Sequence, residues 1–203
     1  MKTLYIPAKI DKDITAVLDK VDFEGKLGVI TTVQHLEQVQ KIKRDNWIVA
    51  GQVLGCNVEN ALNLDVDAFL YVGTGKFHPI KVAMKTGKKV FMADPITETV
   101  TELDSKDIEK IKKRVMGAYA KYLTSTKVGV LISTKKLQHC MQGLDFDFSD
   151  KEVYYFMCDN VSGLENFPDI EVWVNTACPR LAYEGEFGKV ILNLEDLKGF
   201  VSE

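Results

Sequence analysis

Two similar stretches of the chain indicate its fold, LGVITTVQHLEQVQ at residues 27–40 and VGVLISTKKLQHCMQ at residues 128–142. Each begins with a short apolar run and continues through threonine or serine into a segment with helical spacing. Short apolar runs that alternate with helical segments are typical of parallel sheets covered by helices. The likeness of the two stretches indicates a duplicated α/β unit.

Seven further apolar runs complete the predicted sheets, namely TLYIPA, WIVAG, AFLYVG, KVFMAD, VYYFM, VWVN and KVIL. Because nearly every residue in them is apolar, we expect these strands to be buried on both faces. Helical spacing runs through residues 33–45, 78–87 and 101–127. The sequence therefore predicts an α/β protein of two similar small domains, each a mostly parallel sheet flanked by helices. The predicted domains are residues 1–100 and 101–203, and the longest helix opens the second.

The composition is that of a folded globular protein, because 46% of the residues are hydrophobic and 27% are charged. A net charge of −3 gives no electrostatic support for binding nucleic acid or an anionic membrane surface. No apolar stretch approaches the roughly 20 residues of a spanning helix, and the first residues lack the apolar region of a secretory signal. We therefore expect a cytoplasmic protein whose partner is a protein or a small molecule.

Two of the four cysteines follow predicted strands, Cys56 after WIVAG and Cys178 after VWVN. Ligands of open α/β sheets bind at the carboxyl ends of the strands, and we expect the two cysteines to occupy equivalent positions in the two domains. They lie too far apart in the chain for a local motif such as C-x-x-C, so only the fold could bring them together. A lone cysteine at a strand end is more often a half-buried apolar side chain, whereas a pair favours a site. Cys140 is expected on a helix and Cys158 at the end of VYYFM.

Glycine-rich loops follow two strands of the first domain. GQVLGC contains Gly51 and Gly55, and VGTGKFHP contains Gly73, Gly75 and His78 just before a predicted helix. Such a loop accepts anions at the helix N-terminus, although this one lacks the Lys-Ser/Thr ending of a P-loop. A structural role for His78 is as well supported as a binding role. A third loop, after VWV, carries the polar residues Asn175, Thr176 and Arg180.

Five motifs together resemble a known family, and they are GQVLGCN, GTGKFHP, ADP at residues 93–95, STKK and NTACPRLAY. They occur in the same order and at similar spacing in the radical enzymes of diphthamide synthesis, and the resemblance covers nearly the whole chain. The chain resembles the 2-(3-amino-3-carboxypropyl)histidine synthases. This resemblance implies a 4Fe-4S cluster held by one cysteine from each of three α/β domains. It also implies transfer of a 3-amino-3-carboxypropyl radical from S-adenosylmethionine to a histidine of translation elongation factor 2.

The resemblance also implies roles for individual residues. Cys56 and Cys178 match the second and third cluster ligands. Arg180 is a candidate contact for the carboxylate of S-adenosylmethionine because guanidinium pairs with carboxylate in a fixed fork. The expected residues around the cofactor and substrate are Gly51, Gln52, Gly73, Gly75, His78 and Arg180.

The first domain of the family, with the first cluster cysteine, has no counterpart in this sequence. The missing thiolate could come from another polypeptide or from Cys158, or no cluster forms. Two cysteines with water or a histidine could also hold zinc. The alternative function is that of a catalytically inactive, truncated paralogue that serves as a binding or partner subunit. With either function we expect a homo-oligomer, most simply a dimer, because loss of a packed domain exposes an apolar face.

Overall fold

The computed structural model describes most of the chain, namely residues 4, 6–135, 145–148, 150–185 and 187–201. These residues form an α/β protein with one sheet in each of two compact units, Met1–Ile108 and Glu109–Glu203. The predicted fold class, two similar small domains with mostly parallel sheets, is confirmed. The units divide inside the long helix, whereas the sequence placed the division at residue 100.

The first unit is built on a five-stranded sheet. Its strands are β1 (Leu27–Thr31), β2 (Trp47–Gln52), β3 (Ala68–Val72), β4 (Lys89–Asp94) and β5 (Thr99–Glu102). The order is β2-β1-β3-β4-β5, and only β5 runs antiparallel to its neighbour. Its helices are α1 (Thr15–Leu18), α2 (Leu36–Val39) and α3 (Phe77–Thr86), and a short 3₁₀ turn lies at Glu59–Ala61.

The second unit is built on a four-stranded parallel sheet in the order β7-β6-β8-β9. These strands are β6 (Lys127–Ser133), β7 (Glu152–Cys158), β8 (Val172–Asn175) and β9 (Ile191–Asn193). Its helices are α4 (Ser105–Thr124), which begins in the first unit, α5 (Arg180–Glu184) and α6 (Leu194–Val201), and a second 3₁₀ turn lies at Leu164–Asn166. Ala118 and Tyr122 of α4 belong to the apolar core that covers one face of this sheet.

The two units repeat one pattern of strands. In each unit the first strand lies between the second and the third, and the fourth pairs with the third. Gly28 of β1 pairs in register with Phe69 of β3, and Gly129 of β6 pairs in the same way with Trp173 of β8. The similarity of residues 27–32 and 128–133 therefore reflects equivalent first strands. The remainder of the second stretch, with Cys140, lies largely outside the described residues.

Burial on both faces holds for four of the predicted strands and fails for two strands at the sheet edges. Every residue of β1, β3, β8 and β9 is buried. The edge strands β2 and β7 are half-exposed, and the side chain of Met157 in β7 is 62% exposed. The apolar runs WIVAG and VYYFM, predicted to be buried, therefore lie partly in solvent at one edge of each sheet.

Three predicted elements differ from the observed ones. The described residues of TLYIPA pair with no strand. The helix expected over 33–45 is reduced to α2, because turns of the 3₁₀ type, such as Lys41 N–H to Gln38 O, follow it at once. The long helix begins at Ser105 rather than at residue 101. Thr99–Glu102 pairs with β4, and the Asp104 carboxylate accepts the backbone N–H of Lys106 as an N-cap.

The helix expected over 78–87 is confirmed as α3. It ends at Gly87, whose φ of +68° and whose N–H bond to the Ala83 carbonyl form a left-handed C-cap. No helix within the described part of the chain is long and apolar enough to cross a membrane.

Candidate metal-binding loops

The predicted site residues lie at the carboxyl ends of parallel strands in both units. In the first unit Gly51 and Gln52 end β2, and the loop with Cys56 follows. The loop with Gly73, Gly75 and His78 follows β3. In the second unit, the loop after β8 contains Cys178, and Arg180 begins α5. Within each unit the predicted residues therefore lie at the same end of the sheet, where the parallel strands finish.

Cys56 lies at the tip of a tight turn. The backbone N–H of Val53 bonds to the Thr31 carbonyl at 2.8 Å, which ties the start of the loop to β1. Leu54 and Asn57 then exchange both backbone hydrogen bonds, at 2.8 and 3.1 Å, with Gly55 and Cys56 at the central positions. Cys56 is exposed, so its thiol is accessible at a fixed place in the loop.

The Cys56 turn packs against the loop that follows β3. Gly55 is buried, and a Cβ atom built on it would overlap the ring of Phe77, the first residue of α3. Only glycine allows the backbone to approach an aromatic ring so closely. The structure therefore brings the Cys56 turn and the glycine-rich loop of residues 73–78 together in the first unit.

The glycine-rich loop is anchored at its start and open at its middle. The N–H of Gly73 bonds to the Ala93 carbonyl at 3.0 Å, and Gly75 is exposed with a φ of +77°. The imidazole ring of His78 stacks 6.0 Å from the ring of Tyr71 and meets the ring of Phe77 edge-on. These contacts pack the His78 ring against β3 and the start of α3.

Two further polar side chains lie near this loop edge. Burial raises the pKa of Tyr71 to about 12, so its hydroxyl, which donates to the Thr74 carbonyl at 3.3 Å, stays protonated. His35 follows β1 and is buried, and among the described residues its Nδ1 has no hydrogen-bond partner. Burial lowers the pKa of His35, against the opposing effect of Asp94, and favours the neutral ring.

In the second unit, the side-chain amide of Asn175 closes the loop that contains Cys178. Its Oδ1 accepts the backbone N–H of Ala177 at 3.0 Å, and its Nδ2 donates to the Cys178 carbonyl at 2.9 Å. Thr176 fixes the same loop to the sheet, because its N–H and its hydroxyl both donate to the Leu131 carbonyl. Cys178 is half-buried within this pinned backbone.

A second layer of polar side chains supports Asn175. Asn193 ends β9, accepts from Asn175 Nδ2 at 2.8 Å and donates to the Pro179 carbonyl at 3.3 Å and to Asp196 at 3.0 Å. The Tyr183 hydroxyl donates to the other Asp196 oxygen at 3.1 Å. Burial and Asp196 raise the pKa of Tyr183, which keeps that hydroxyl a donor. The sequence pattern did not identify Asn193, Asp196 and Tyr183 as part of the site. The signal available was that both apolar runs, VWV and VIL, end in asparagine.

Arg180, predicted to bind a carboxylate, is exposed and already contacts one. Its Nε pairs with the carboxylate of Glu184 one turn later in α5. An exposed pair of this kind contributes little to stability and opens readily. A substrate carboxylate would therefore compete with Glu184 for the guanidinium.

The expectation that Cys56 and Cys178 occupy equivalent positions is wrong. Cys56 follows β2, the second strand of its unit and an edge strand, whereas Cys178 follows β8, the third strand of its unit and an inner strand. The equivalent of β2 is β7, whose last residue is Cys158. Cys158 is half-buried, and burial, followed by the charge of Asp159, raises the pKa of its thiol. A raised pKa disfavours the thiolate that a metal requires.

The metal-binding atoms that these loops could provide are the cysteine sulfurs of Cys56 and Cys178. Across the described ranges, no group of three or more His, Cys, Asp or Glu side chains is placed to hold a metal ion. Each unit instead presents one cysteine from a loop fixed by backbone hydrogen bonds, Cys56 exposed and Cys178 half-buried. Accessible thiols in fixed loops suit iron–sulfur clusters and zinc.

Relatives of known classification match nearly the whole chain. A family model described as "Putative diphthamide synthesis protein" matches residues 1–202. The 2-(3-amino-3-carboxypropyl)histidine synthase of Methanocaldococcus jannaschii is 33% identical over 99% of this chain and 62% of its own length. The enzyme of the same name from Pyrococcus horikoshii is 28% identical over 97% of this chain and 64% of its own length.

Two crystal structures of Dph2 from Pyrococcus horikoshii have the same fold. The first has a TM-score of 0.79 and 27% identity and covers 94% of this chain and 63% of that chain. The second, described as containing a 4Fe-4S cluster, has a TM-score of 0.72 and 29% identity and covers 87% and 57%. The chain thus spans less than two thirds of the length of these relatives. The family match over residues 1–202, together with the shared fold, shows that the chain belongs to the diphthamide synthesis protein family.

Proposed function

We propose that this chain acts in diphthamide synthesis as the part of a 2-(3-amino-3-carboxypropyl)histidine synthase that supplies two cysteines to an iron–sulfur cluster. The observation that carries the proposal is the presentation of Cys56 and Cys178 on hydrogen-bonded loops at the carboxyl ends of parallel strands. The Dph2 structure described as containing a 4Fe-4S cluster supports this choice of metal group.

The proposed ligands are the thiolates of Cys56 and Cys178. A third thiolate comes from another polypeptide or chain segment that carries the family's first domain, and Cys158 is the weaker candidate because the pKa of its thiol is raised. When bound, the cluster supplies the electron that cleavage of S-adenosylmethionine requires. The 3-amino-3-carboxypropyl group is then transferred to a histidine of translation elongation factor 2.

The chain's own residues would bind and orient S-adenosylmethionine. The open loop around Gly75 leads into the N-terminus of α3, which favours an anion such as the amino-acid carboxylate. Gly51 and Gln52 end β2 in the same sheet and would contribute backbone and amide groups. Arg180 would exchange its contact with Glu184 for the substrate carboxylate.

Anaerobic reconstitution with iron and sulfide tests the ligand assignment. We expect wild-type protein to gain a broad charge-transfer absorption, and Cys56→Ala and Cys178→Ala to lose most of it. Cys158→Ala is the matched control, since it removes a thiol from the end of a strand without removing a proposed ligand. Full absorption in both ligand variants would contradict the assignment, and loss only in the Cys158 variant would transfer it to that residue.

Calorimetric titration with S-adenosylmethionine, with and without the cluster, separates the enzyme from a binding subunit that has lost its chemistry. Binding that requires the cluster supports the enzyme, and no binding in either state supports the subunit. We also propose that the chain forms a homo-oligomer. Light scattering tests this assembly, and a monomer at all concentrations would contradict it.

A further inference from the structure

Two backbone carbonyl groups, those of Cys178 and Pro179, accept hydrogen bonds from side chains at the ends of two different strands. Asn175 ends β8 and donates to the Cys178 carbonyl at 2.9 Å, while Asn193 ends β9 and donates to the Pro179 carbonyl at 3.3 Å. The two asparagines are joined by a 2.8 Å hydrogen bond and pair in register across the sheet. The backbone on the C-terminal side of the thiol is thus fixed by two side-chain amides.

The direction of every hydrogen bond in this group is determined. Asn175 Oδ1 accepts the Ala177 N–H, so its Nδ2 must be the atom that faces the Cys178 carbonyl and Asn193 Oδ1. Asn193 Nδ2 is then left to donate to the Pro179 carbonyl and to Asp196. Neither asparagine can be replaced by aspartate without setting two oxygen acceptors against each other.

We propose that Asn175 and Asn193 are positioning residues that orient the Cys178 thiol as a metal ligand. The inference rests on the proposed function, since it assigns a role to residues behind one of the proposed ligands. Side chains that hydrogen-bond around a ligand fix its orientation, and their loss weakens metal binding while the ligand itself remains. Asn175 and Asn193 themselves touch no metal.

Aspartate substitutions test the proposal with little change of shape. Asn175→Asp keeps the bond from Ala177 N–H and loses both donated bonds, so we expect an iron chelator to remove the cluster roughly fivefold faster than from wild type. Asn193→Asp, one contact further from the thiol, should have a smaller effect of the same kind. The double variant with Asn193→Asp and Asp196→Asn again pairs an amide donor with a carboxylate acceptor at positions 193 and 196. We therefore expect it to retain the cluster longer than Asn193→Asp alone.

The matched control is Ser125→Ala. Ser125 is also buried in the second unit and loses one hydrogen bond, from its hydroxyl to the Lys121 carbonyl, but it precedes β6 at the opposite end of the sheet. If the asparagines act only through the stability of the unit, variants with equally lowered thermal midpoints should lose the cluster at equal rates. Ser125→Ala and Asn175→Asp would then not differ. A positioning role predicts wild-type retention in Ser125→Ala.

A second measurement needs no cluster. Iodoacetamide labelling of the metal-free protein, followed by peptide mass spectrometry, gives the rate at Cys178 relative to Cys56 in the same chain. We expect that ratio to rise in Asn175→Asp and to stay at the wild-type value in Ser125→Ala, because only the first variant releases the Cys178 loop.

The outcomes separate the two proposals. Wild-type retention of the cluster in Asn175→Asp, with an unchanged labelling ratio, overturns the positioning role and leaves the ligand assignment standing. Full retention of the cluster in Cys178→Ala overturns the ligand assignment and this inference with it.

Discussion

Gly129 in β6 lies in register with Trp173 in β8, and a Cβ atom added to Gly129 would come within 2.6 Å of the indole ring. Trp173 is fully buried, so its ring has no room to withdraw. The first unit repeats the arrangement, since a Cβ on Gly28 would come within 2.7 Å of the Phe69 ring. The glycine in each first strand therefore makes room for an aromatic side chain on the third strand of its unit.

Gly129→Ala should destabilise the second unit by about 1–3 kcal/mol, because overpacking forces the indole ring or the strand to shift. Gly117→Ala is the control, since Gly117 lies in α4 with no atom within 4 Å of an added Cβ. That change should raise stability by roughly 0.5–1 kcal/mol through helix propensity. Urea unfolding followed by tryptophan fluorescence measures both, and equal stability of the two variants would contradict the packing account.

Gly55→Ala should displace the Cys56 turn, because the added methyl group overlaps the Phe77 ring. We expect a loss of about 1–3 kcal/mol, part of which the second substitution Phe77→Ala recovers by removing the ring. Gly75→Ala provides the comparison. Its φ of +77° imposes backbone strain with no atom within 4 Å, so Phe77→Ala should give it no recovery. Double-mutant cycles of thermal unfolding decide whether the coupling is confined to Gly55.

The thiol of Cys158 should titrate above the ordinary cysteine value, because burial raises its pKa. The neighbouring charges act in opposite directions. Asp159→Asn should lower the midpoint of its alkylation rate against pH, and Lys135→Gln should raise it further. Labelling rates at the Cys158 peptide between pH 7 and about 10 measure the three midpoints. Shifts with the reverse signs would refute this electrostatic description.

Glu171 should contribute stability that depends on pH. Its carboxylate accepts the backbone N–H groups of Lys127 and Thr126, which hold its pKa below the ordinary 4.5. The folded protein therefore binds this proton less readily than the unfolded chain. The stabilisation is fully present above about pH 4.5 and is lost as the pH falls through the lower folded value.

Glu171→Gln should accordingly lower the thermal midpoint at pH 7, and the difference from wild type should shrink in acid. Glu165→Gln is the control, because Glu165 is an acidic residue of the same unit, and within the described part of the chain its carboxylate accepts no bond from a strand backbone. A difference between wild type and Glu171→Gln that stays constant from pH 7 to about pH 3 would exclude the linkage.

Much of the fold is determined by local sequence pattern. Apolar runs between helical segments located eight of the nine strands that the described residues form, and the likeness of LGVITT and VGVLIS identified the equivalent first strands. β5 was missed because Thr99–Glu102 has the polarity of a loop or a helix start, and only its pairing with β4 makes it a strand. The extent of α2 was likewise overestimated, since helical spacing does not show where turns replace the helix.

The sequence by itself determined which residue types stand at or shortly after the strand ends, because Cys56, Gly75, Asn175 and Cys178 each lie within a few residues of an apolar run. Only the tertiary structure decided how they are related. Strand order made Cys158, and not Cys178, the equivalent of Cys56, and parallel pairing of β8 with β9 set Asn193 beside Asn175. The physical reason is that long-range backbone hydrogen bonding and burial decide which strands pair. The order of residues within one strand does not show which strands will be its neighbours.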